Sequence, residues 1–314
     1  MISIVIPVYN EEKQIRETVR VIAGILADSQ INYEFIFIDD GSKDHTWREL
    51  KQLAAVDPKI KAIRLSRNFG KEAALCAGLN AIQGDACIVM DADLQHPPAL
   101  IPEMVRLWKD DGYEIVEGVK SSRGKESWSS RLSAGLFYRI LHKLSGINLK
   151  DASDFKLLDA RVVSAWQAMP ERNTFFRGMA AWVGFKRIAV PFEVAERTTG
   201  GTKWSKYRLF KLAITAITSF SSFPLQIVTF LGFLFLLGSV LLGIQTIYMK
   251  FSGIAVDGFT TVILLLLITG SALMISLGII GTYLAKIFEE VKHRPRYIVA
   301  ETVNGTKGGI EHRV

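Results

Sequence analysis

The chain has 314 residues, enough for one large domain or two small ones with a full core. Its formal net charge is +7, yet no dense Lys/Arg run is interleaved with aromatics, which argues against a nucleic-acid partner. Cys76 and Cys87 fall in apolar runs and read as reduced and buried, and the histidines lack the spacing of a zinc site.

Strand-like and helical patterns alternate along the first half. Ile2–Val8, Tyr33–Asp39, Ile60–Leu65, Ala86–Met90 and Glu114–Val119 are predicted strands; Glu11–Ala27, Asp44–Ala55, Gly70–Ile82 and Pro98–Lys109 are predicted helices. Continuous apolar runs such as IFID and CIVMDAD suit strands buried on both faces. The pattern therefore predicts an α/β, Rossmann-like, mostly parallel sheet with helices on both sides. Ser42 and Asp44 are positioned to cap the second helix, and Pro97 and Pro98 to open the fourth. Met1 leads directly into a strand followed by Glu11 and Glu12, so no secretory signal is expected.

Ligands of open parallel sheets bind beyond the carboxyl ends of the strands. Four polar clusters fall there: Pro7–Glu12, Asp39–Asp44, Ser66–Lys71 and Asp91–Pro98. Their convergence points to a nucleotide-type ligand. No glycine-rich phosphate loop follows any strand, so another device must neutralise phosphate charge. Asp91 and Asp93, at i and i+2 beyond a buried strand, can share a hard divalent cation, Mg2+ or Mn2+, with Gln95 as an extra oxygen. A lone D-x-D is also common as a purely structural turn.

Further along, Lys120, Arg123, Lys125 and Arg131 punctuate a stretch with Gly124 and several serines, which reads as a surface loop or as an anion grip. Ser205–Ser222 mixes Lys206, Arg208 and Lys211 with apolar residues, predicting an amphipathic helix on a bilayer, with a plain linker as the alternative. Phe223–Met249 and Phe259–Ala285 contain no Asp, Glu, Lys or Arg, and each exceeds the roughly 20 residues that span about 30 Å of hydrocarbon. Cations flank the pair on both outer sides: Lys203, Lys206, Arg208 and Lys211 before it, Lys286, Lys292, Arg294 and Arg296 after it. The loop Lys250–Gly258 carries one Lys and one Asp. Both termini are therefore expected in the cytoplasm.

The motifs IVIPVYNEE (Ile4–Glu12), IDDGSKD (Ile38–Asp44), LSRNFGKEAAL (Leu65–Leu75), DADLQHPP (Asp91–Pro98), SDFKLLD (Ser153–Asp159) and RTTGGTKWSK (Arg197–Lys206) resemble the family 2 glycosyltransferases with a GT-A fold. With two C-terminal spans, the set is most similar to the polyprenyl-phosphate members, the bactoprenol glucosyltransferases and dolichol-phosphate mannose synthases. The resemblance runs to about Arg296. It implies a cytoplasmic GT-A domain over 1–204, a juxtamembrane helix over 205–222, spans over 223–249 and 259–285 around an external loop 250–258, and a cytoplasmic tail over 286–314. It also implies the bacterial inner (cytoplasmic) membrane as location. The implied reaction is inverting transfer of one sugar from a nucleotide sugar, by family weight uridine diphosphate glucose, to polyprenyl phosphate. The same chemistry with guanosine diphosphate mannose, an N-acetylhexosamine or an amino sugar is the alternative, and a non-catalytic flippase partner is a more distant one.

The resemblance also implies roles. Pro7, Tyr9, Glu11 and Asp39 line the nucleobase and ribose pocket, and Asp40 is either a ligand or a loop brace. Asp91, Asp93 and Gln95 hold metal and diphosphate. Arg67 and Lys71 join the substrate pocket, with a solvated helix face as the alternative for Lys71. Lys120, Arg123, Arg131, Arg197 and Lys203 grip the acceptor phosphate. Asp154 matches the family's base position, but a phosphate monoester is already mostly ionised at neutral pH. Its expected role is therefore first to orient acceptor cations or the donor sugar, and second to abstract a proton. Ser153 stands where close relatives carry Gly, which puts the local turn in question. The Q-x-x-R-W signature of processive synthases is absent, favouring single-sugar transfer. A homo-oligomer and a flippase partner both suit such an enzyme.

Overall fold

The centre of the sheet is set by two seven-residue strands, β1 (Ile2–Val8) and β2 (Tyr33–Asp39), buried along almost their whole length. Backbone groups so enclosed must pair with other strands. In this computed structural model, which describes residues 1–120, 153–169, 171, 176–192, 223–253 and 258–305, they do so in parallel with each other. β3 (Ile60–Leu65) pairs in parallel with β2, and β4 (Ala86–Val89) with β1. Between and after these strands run α1 (Ile15–Asp28), α2 (Thr46–Val56), α3 (Lys71–Asn80) and α4 (Ile101–Lys109). β5 (Ile115–Lys120), β6 (Lys156–Asp159), α5 (Ala160–Gln167), α6 (Phe176–Trp182) and β7 (Arg187–Phe192) follow. A final strand, β8 (Val299–Val303), comes after the apolar helices.

The strand order is β7-β5-β6-β4-β1-β2-β3-β8, with β6 antiparallel to its neighbours β4 and β5, and β8 antiparallel to β3. The chain thus winds from β1 through β2 to β3, then crosses back to place β4 on the other side of β1. That reversal opens a crevice at the carboxyl ends of β1 and β4, where such sheets bind their ligands. α3 lies close against the sheet because Gly78 has no side chain: a Cβ there would come within 2.4 Å of Val5 and 2.7 Å of Ile38.

Several boundaries differ from expectation. α1 starts at Ile15, not Glu11, because the backbone of Glu11 and Glu12 is engaged elsewhere, donating to Thr46 Oγ1 and Asp44 Oδ2. The helix expected from Pro98 begins as a 3-10 turn over Pro98–Leu100 and becomes α-helical only at Ile101. The stretch after the second apolar run is not simply a tail: β8 completes one edge of the sheet. Both cysteines are buried, and the expected amphipathic segment 205–222 lies outside the described residues.

The chain divides into two compact units, Met1–Trp204 with His293–Val314, and Ser205–Lys292. The second contains α7 (Phe223–Phe251) and α8 (Phe259–Val291), the latter continuing beyond the expected Ala285. Their apolar segments Phe223–Met249 and Leu265–Val291 have mean hydropathies of 2.5 and 2.0 and are not buried by protein. Phe230, Leu237, Leu266 and Met274 are each more than half exposed. At roughly 40 Å or more each helix is long enough to cross a membrane, and lipid is the solvent that such a surface fits.

Candidate active site

The loops at the carboxyl ends of β1, β2 and β3 are laced together before any ligand enters. Ser42 Oγ accepts from the Asn10 amide at 2.9 Å, and Asn10 Oδ1 accepts from the Lys43 amide at 2.9 Å. Asp44 braces the start of α2 by accepting from the Thr46 amide, whereas Ser42 serves Asn10 rather than the helix. Asp40 accepts from the amides of Phe69 and Gly70 at 2.7 and 2.9 Å, so it orders the β3 loop. Gly41 makes that approach possible: its φ is +69° and a Cβ would come within 2.5 Å of the Arg67 backbone. Arg67 itself is exposed, its guanidinium over the Phe69 ring.

Asp39 is different. It is fully buried at the end of β2; Oδ1 accepts from the Ser42 amide at 2.8 Å, while Oδ2 accepts no hydrogen bond and has Arg64 Nε at 3.4 Å. Burial raises its proton affinity, opposed by Ser42 and Arg64. An unmet buried acceptor is costly, so this oxygen is suited to a donor from a ligand. Pro7 is half-buried on the adjacent β1, opposite Ile38, and Tyr9 is exposed beyond it.

Asp91 and Asp93 leave β4 at the crevice, in a loop held to α1 by the Thr18 hydroxyl, which donates to the Ala92 carbonyl at 2.6 Å. Asp93 Oδ1 accepts from the Gln95 amide at 3.1 Å, so Gln95 contributes a backbone bond to the turn. Glu11 faces the same acidic field. Burial, then Asp93, Asp44 and Asp91, raises its proton affinity. Lys71, on the first residue of α3, bridges Asp91 Oδ1 at 2.6 Å and Asp154 Oδ2 at 2.7 Å. It is not an idle surface lysine.

Asp154 is also clasped by Arg177, whose Nε and Nη2 donate to its two oxygens at 2.7 and 3.0 Å. Burial alone would raise its pKa, but Arg177 and Lys71 together hold the carboxyl far below the usual range. A carboxylate so held is a poor proton acceptor and a good anchor for two cations. Ser153 answers the question of the turn: its buried hydroxyl donates to the Gly118 carbonyl and accepts from the Phe155 amide at 3.1 Å. Phe155 in turn stacks on His96, whose buried Nδ1 has no partner among the described residues.

The profile of glycosyl transferase family 2 matches residues 3–164. The chain belongs to this family. It is 40% identical over 305 residues to an uncharacterized glycosyltransferase of Synechocystis sp., covering 96% of this chain and 95% of that one. It is 37% identical over 304 residues to a prophage bactoprenol glucosyl transferase homolog of Escherichia coli, covering 95% and 98%. With the bactoprenol glucosyl transferase of Shigella phage SfII it shares 36% over 310 residues, covering 97% and 99%. This glycosyltransferase carries a mostly parallel, mixed α/β sheet with two apolar helices toward its C-terminus.

Among the described residues of the glycosyltransferase, no three His, Cys, Asp or Glu side chains form a metal cage. Asp91 and Asp93 instead present hard oxygens beside Glu11 in an acidic field. That donor set fits Mg2+ or Mn2+ held by one or two carboxylates, with substrate phosphates and water completing the shell. Arg123, Arg131, Arg197 and Lys203 lie outside the described residues, as does the side chain of Lys120 at the end of β5.

Two members of the site escaped sequence reasoning. Arg177 lies on α6, 23 residues beyond Asp154, with no motif to mark it. Glu72 follows Lys71 and accepts from the Phe176 amide at 2.8 Å. Burial lifts its pKa to about 7, against that hydrogen bond, and Asp154 adds to the lift. Native Glu72 thus binds a proton more tightly than the unfolded chain does. Its contribution to stability is present below about pH 4.5 and is lost as pH rises through about 7. Glu72→Gln keeps the acceptor and removes the charge. The variant should melt a few degrees above wild type at pH 8 and alongside it at pH 4, and equal melting at both pH values would refute the assignment.

Proposed function

We propose that this glycosyltransferase moves a single sugar from uridine diphosphate glucose to polyprenyl phosphate at the cytoplasmic face of a bacterial inner membrane. The observation that carries the donor side is the placement, at one carboxyl edge of the sheet, of a buried acceptor without a hydrogen bond, Asp39 Oδ2, and of the carboxylate pair Asp91 and Asp93. The first suits the N–H and hydroxyl donors of a nucleoside, with Pro7, Tyr9 and Glu11 around it. The second suits a metal-bound diphosphate, with Gln95 completing the turn. The acceptor is suggested by the near full-length likeness to proteins named bactoprenol glucosyl transferases, which extends through both apolar helices.

A bound divalent ion would supply charge stabilisation for the departing diphosphate. The chain's own residues do the rest. The acceptor oxygen attacks the anomeric carbon opposite the leaving group, so one displacement inverts configuration. Arg177 and Lys71 keep Asp154 ionised, and it holds both cations at the crevice; an acceptor phosphate with second pKa near 6 needs no base at neutral pH. Arg131, Arg197, Lys120, Arg123 and Lys203 supply further cations for that phosphate, and Arg67 borders the pocket. Replacing Arg197 with Ala should lower transfer about tenfold, the worth of one charge-assisted hydrogen bond, and leave calorimetric binding of uridine diphosphate unchanged. Equal loss of both would move Arg197 to the donor pocket.

The orientation is supported by connectivity. β8 follows α8 in the chain yet pairs with β3, so the segments before α7 and after α8 share one compartment and the crossings between them are even in number. The flanking cations select the cytoplasm. A reporter after Val314 should read as cytoplasmic, and Ser252→Cys should be labelled from outside intact cells; labelling only after permeabilisation would reverse the topology. The decisive test incubates membranes with undecaprenyl phosphate and a panel of nucleotide sugars, followed by mass analysis of the lipid. A glucosyl phospholipid is the expected product. Another sugar would correct the donor, and no lipid-linked sugar from any donor would overturn the function.

A further inference from the structure

Lys71 joins two carboxylates that the proposed reaction uses differently. Asp154 does not depend on it, because Arg177 engages both oxygens of that carboxylate. Asp91 is in another position: among the described residues Lys71 is the cation paired with it, at 2.6 Å. Asp91 is also half of the pair that fits a divalent ion. An ammonium and a divalent cation cannot both lie against one carboxylate oxygen without strong repulsion. One must give way. The Lys71 side chain is 40% exposed and leaves the first residue of α3 on a flexible four-carbon stem, so its head can swing without moving the helix. Its second partner, Asp154, gives it somewhere to stay.

We propose that Lys71 is the built-in counter-cation of Asp91, displaced when a metal–nucleotide complex binds and then held by Asp154 to face the acceptor phosphate. This rests on the donor reading above. In the empty site the ammonium offsets part of the repulsion among Asp91, Asp93 and Glu11, which stabilises the loop without a metal. In the loaded site the same ammonium turns to the acceptor side. Coupling of this kind is reciprocal, so donor and acceptor should each bind better in the presence of the other.

The distinctive consequence is a gain of affinity on removing a cation from the active site. Lys71→Met in the full-length, detergent-purified protein should bind Mn2+ about tenfold more tightly in the presence of uridine diphosphate, because a charge-assisted hydrogen bond no longer competes for Asp91. Free Mn2+ is read by electron paramagnetic resonance, independently of turnover. Lys71→Gln, which keeps hydrogen-bond donors for both carboxylates, should show the same direction, and Lys71→Arg should remain near wild type. Sugar transfer should fall in both neutral variants. If wild type binds Mn2+ with uridine diphosphate but the neutral variants bind it equally or more weakly, the counter-cation role is wrong while the donor reading stands. If wild type binds neither, both are overturned.

Discussion

Asp93→Asn should lower sugar transfer by about a thousandfold while leaving the protein folded. The substitution is close to a pure charge deletion, because Asp93 is exposed and its Oδ1 accepts from the Gln95 amide, a bond that an Asn oxygen can keep. What disappears is one of two anionic oxygens offered to a divalent ion. Metal stabilisation of a leaving diphosphate is worth several kcal/mol, and each 1.4 kcal/mol is a factor of ten in rate. Excess chelator should reproduce the loss in wild type, and added Mn2+ should reverse it there but not in the variant. Binding of uridine diphosphate without metal should not weaken, since Asp39 and its neighbours are untouched and one anion facing the diphosphate is gone. Activity that survives both chelator and Asp93→Asn would remove the metal from the mechanism.

How much of this was legible beforehand follows from the range over which each interaction acts. β1 to β4 are short runs rich in apolar residues and bounded by polar turns, so their positions could be read locally. The Asp91-Ala92-Asp93 turn was readable for the same reason. Burial of Glu72 and the clasp of Arg177 on Asp154 were not, because both depend on α6 packing beside α3. β8 carried no signal at all: VAETV is short and only partly buried, and its place in the sheet is decided by residues more than 200 positions earlier. Asp40 illustrates the middle ground. Its motif marked it as important, but only the amides of Phe69 and Gly70 show that it serves the loop.

Ending the chain at Pro295 should unfold or strongly destabilise the catalytic unit, although everything removed lies beyond the second apolar helix. β8 covers the edge of β3 and is held by more than its ladder. Trp47, 4% exposed, donates from Nε1 to Glu301 Oε2 at 2.7 Å, and Asn304 Nδ2 donates to the carbonyls of Ala54 and Ile60. Arg296 Nη2 donates to the Met169 carbonyl at 2.6 Å, and Asn80 donates to the Tyr297 hydroxyl. The lost Trp47, Asn304, Arg296 and ladder bonds are worth about 1 kcal/mol each. The loss should therefore exceed about 3 kcal/mol, or about 10 °C in melting temperature for a unit of this size. Catalysis should suffer beyond stability, because the Ser66 amide donates to the Ile298 carbonyl at 2.8 Å immediately before the loop that carries Arg67 and Lys71. Glu301→Ala separates the two effects: it removes the partner of Trp47, should lower the melting temperature by a few degrees, and should leave transfer at low temperature near wild type. A truncated chain that melts and transfers sugar like the full-length protein would show β8 to be an appendage rather than part of the catalytic unit.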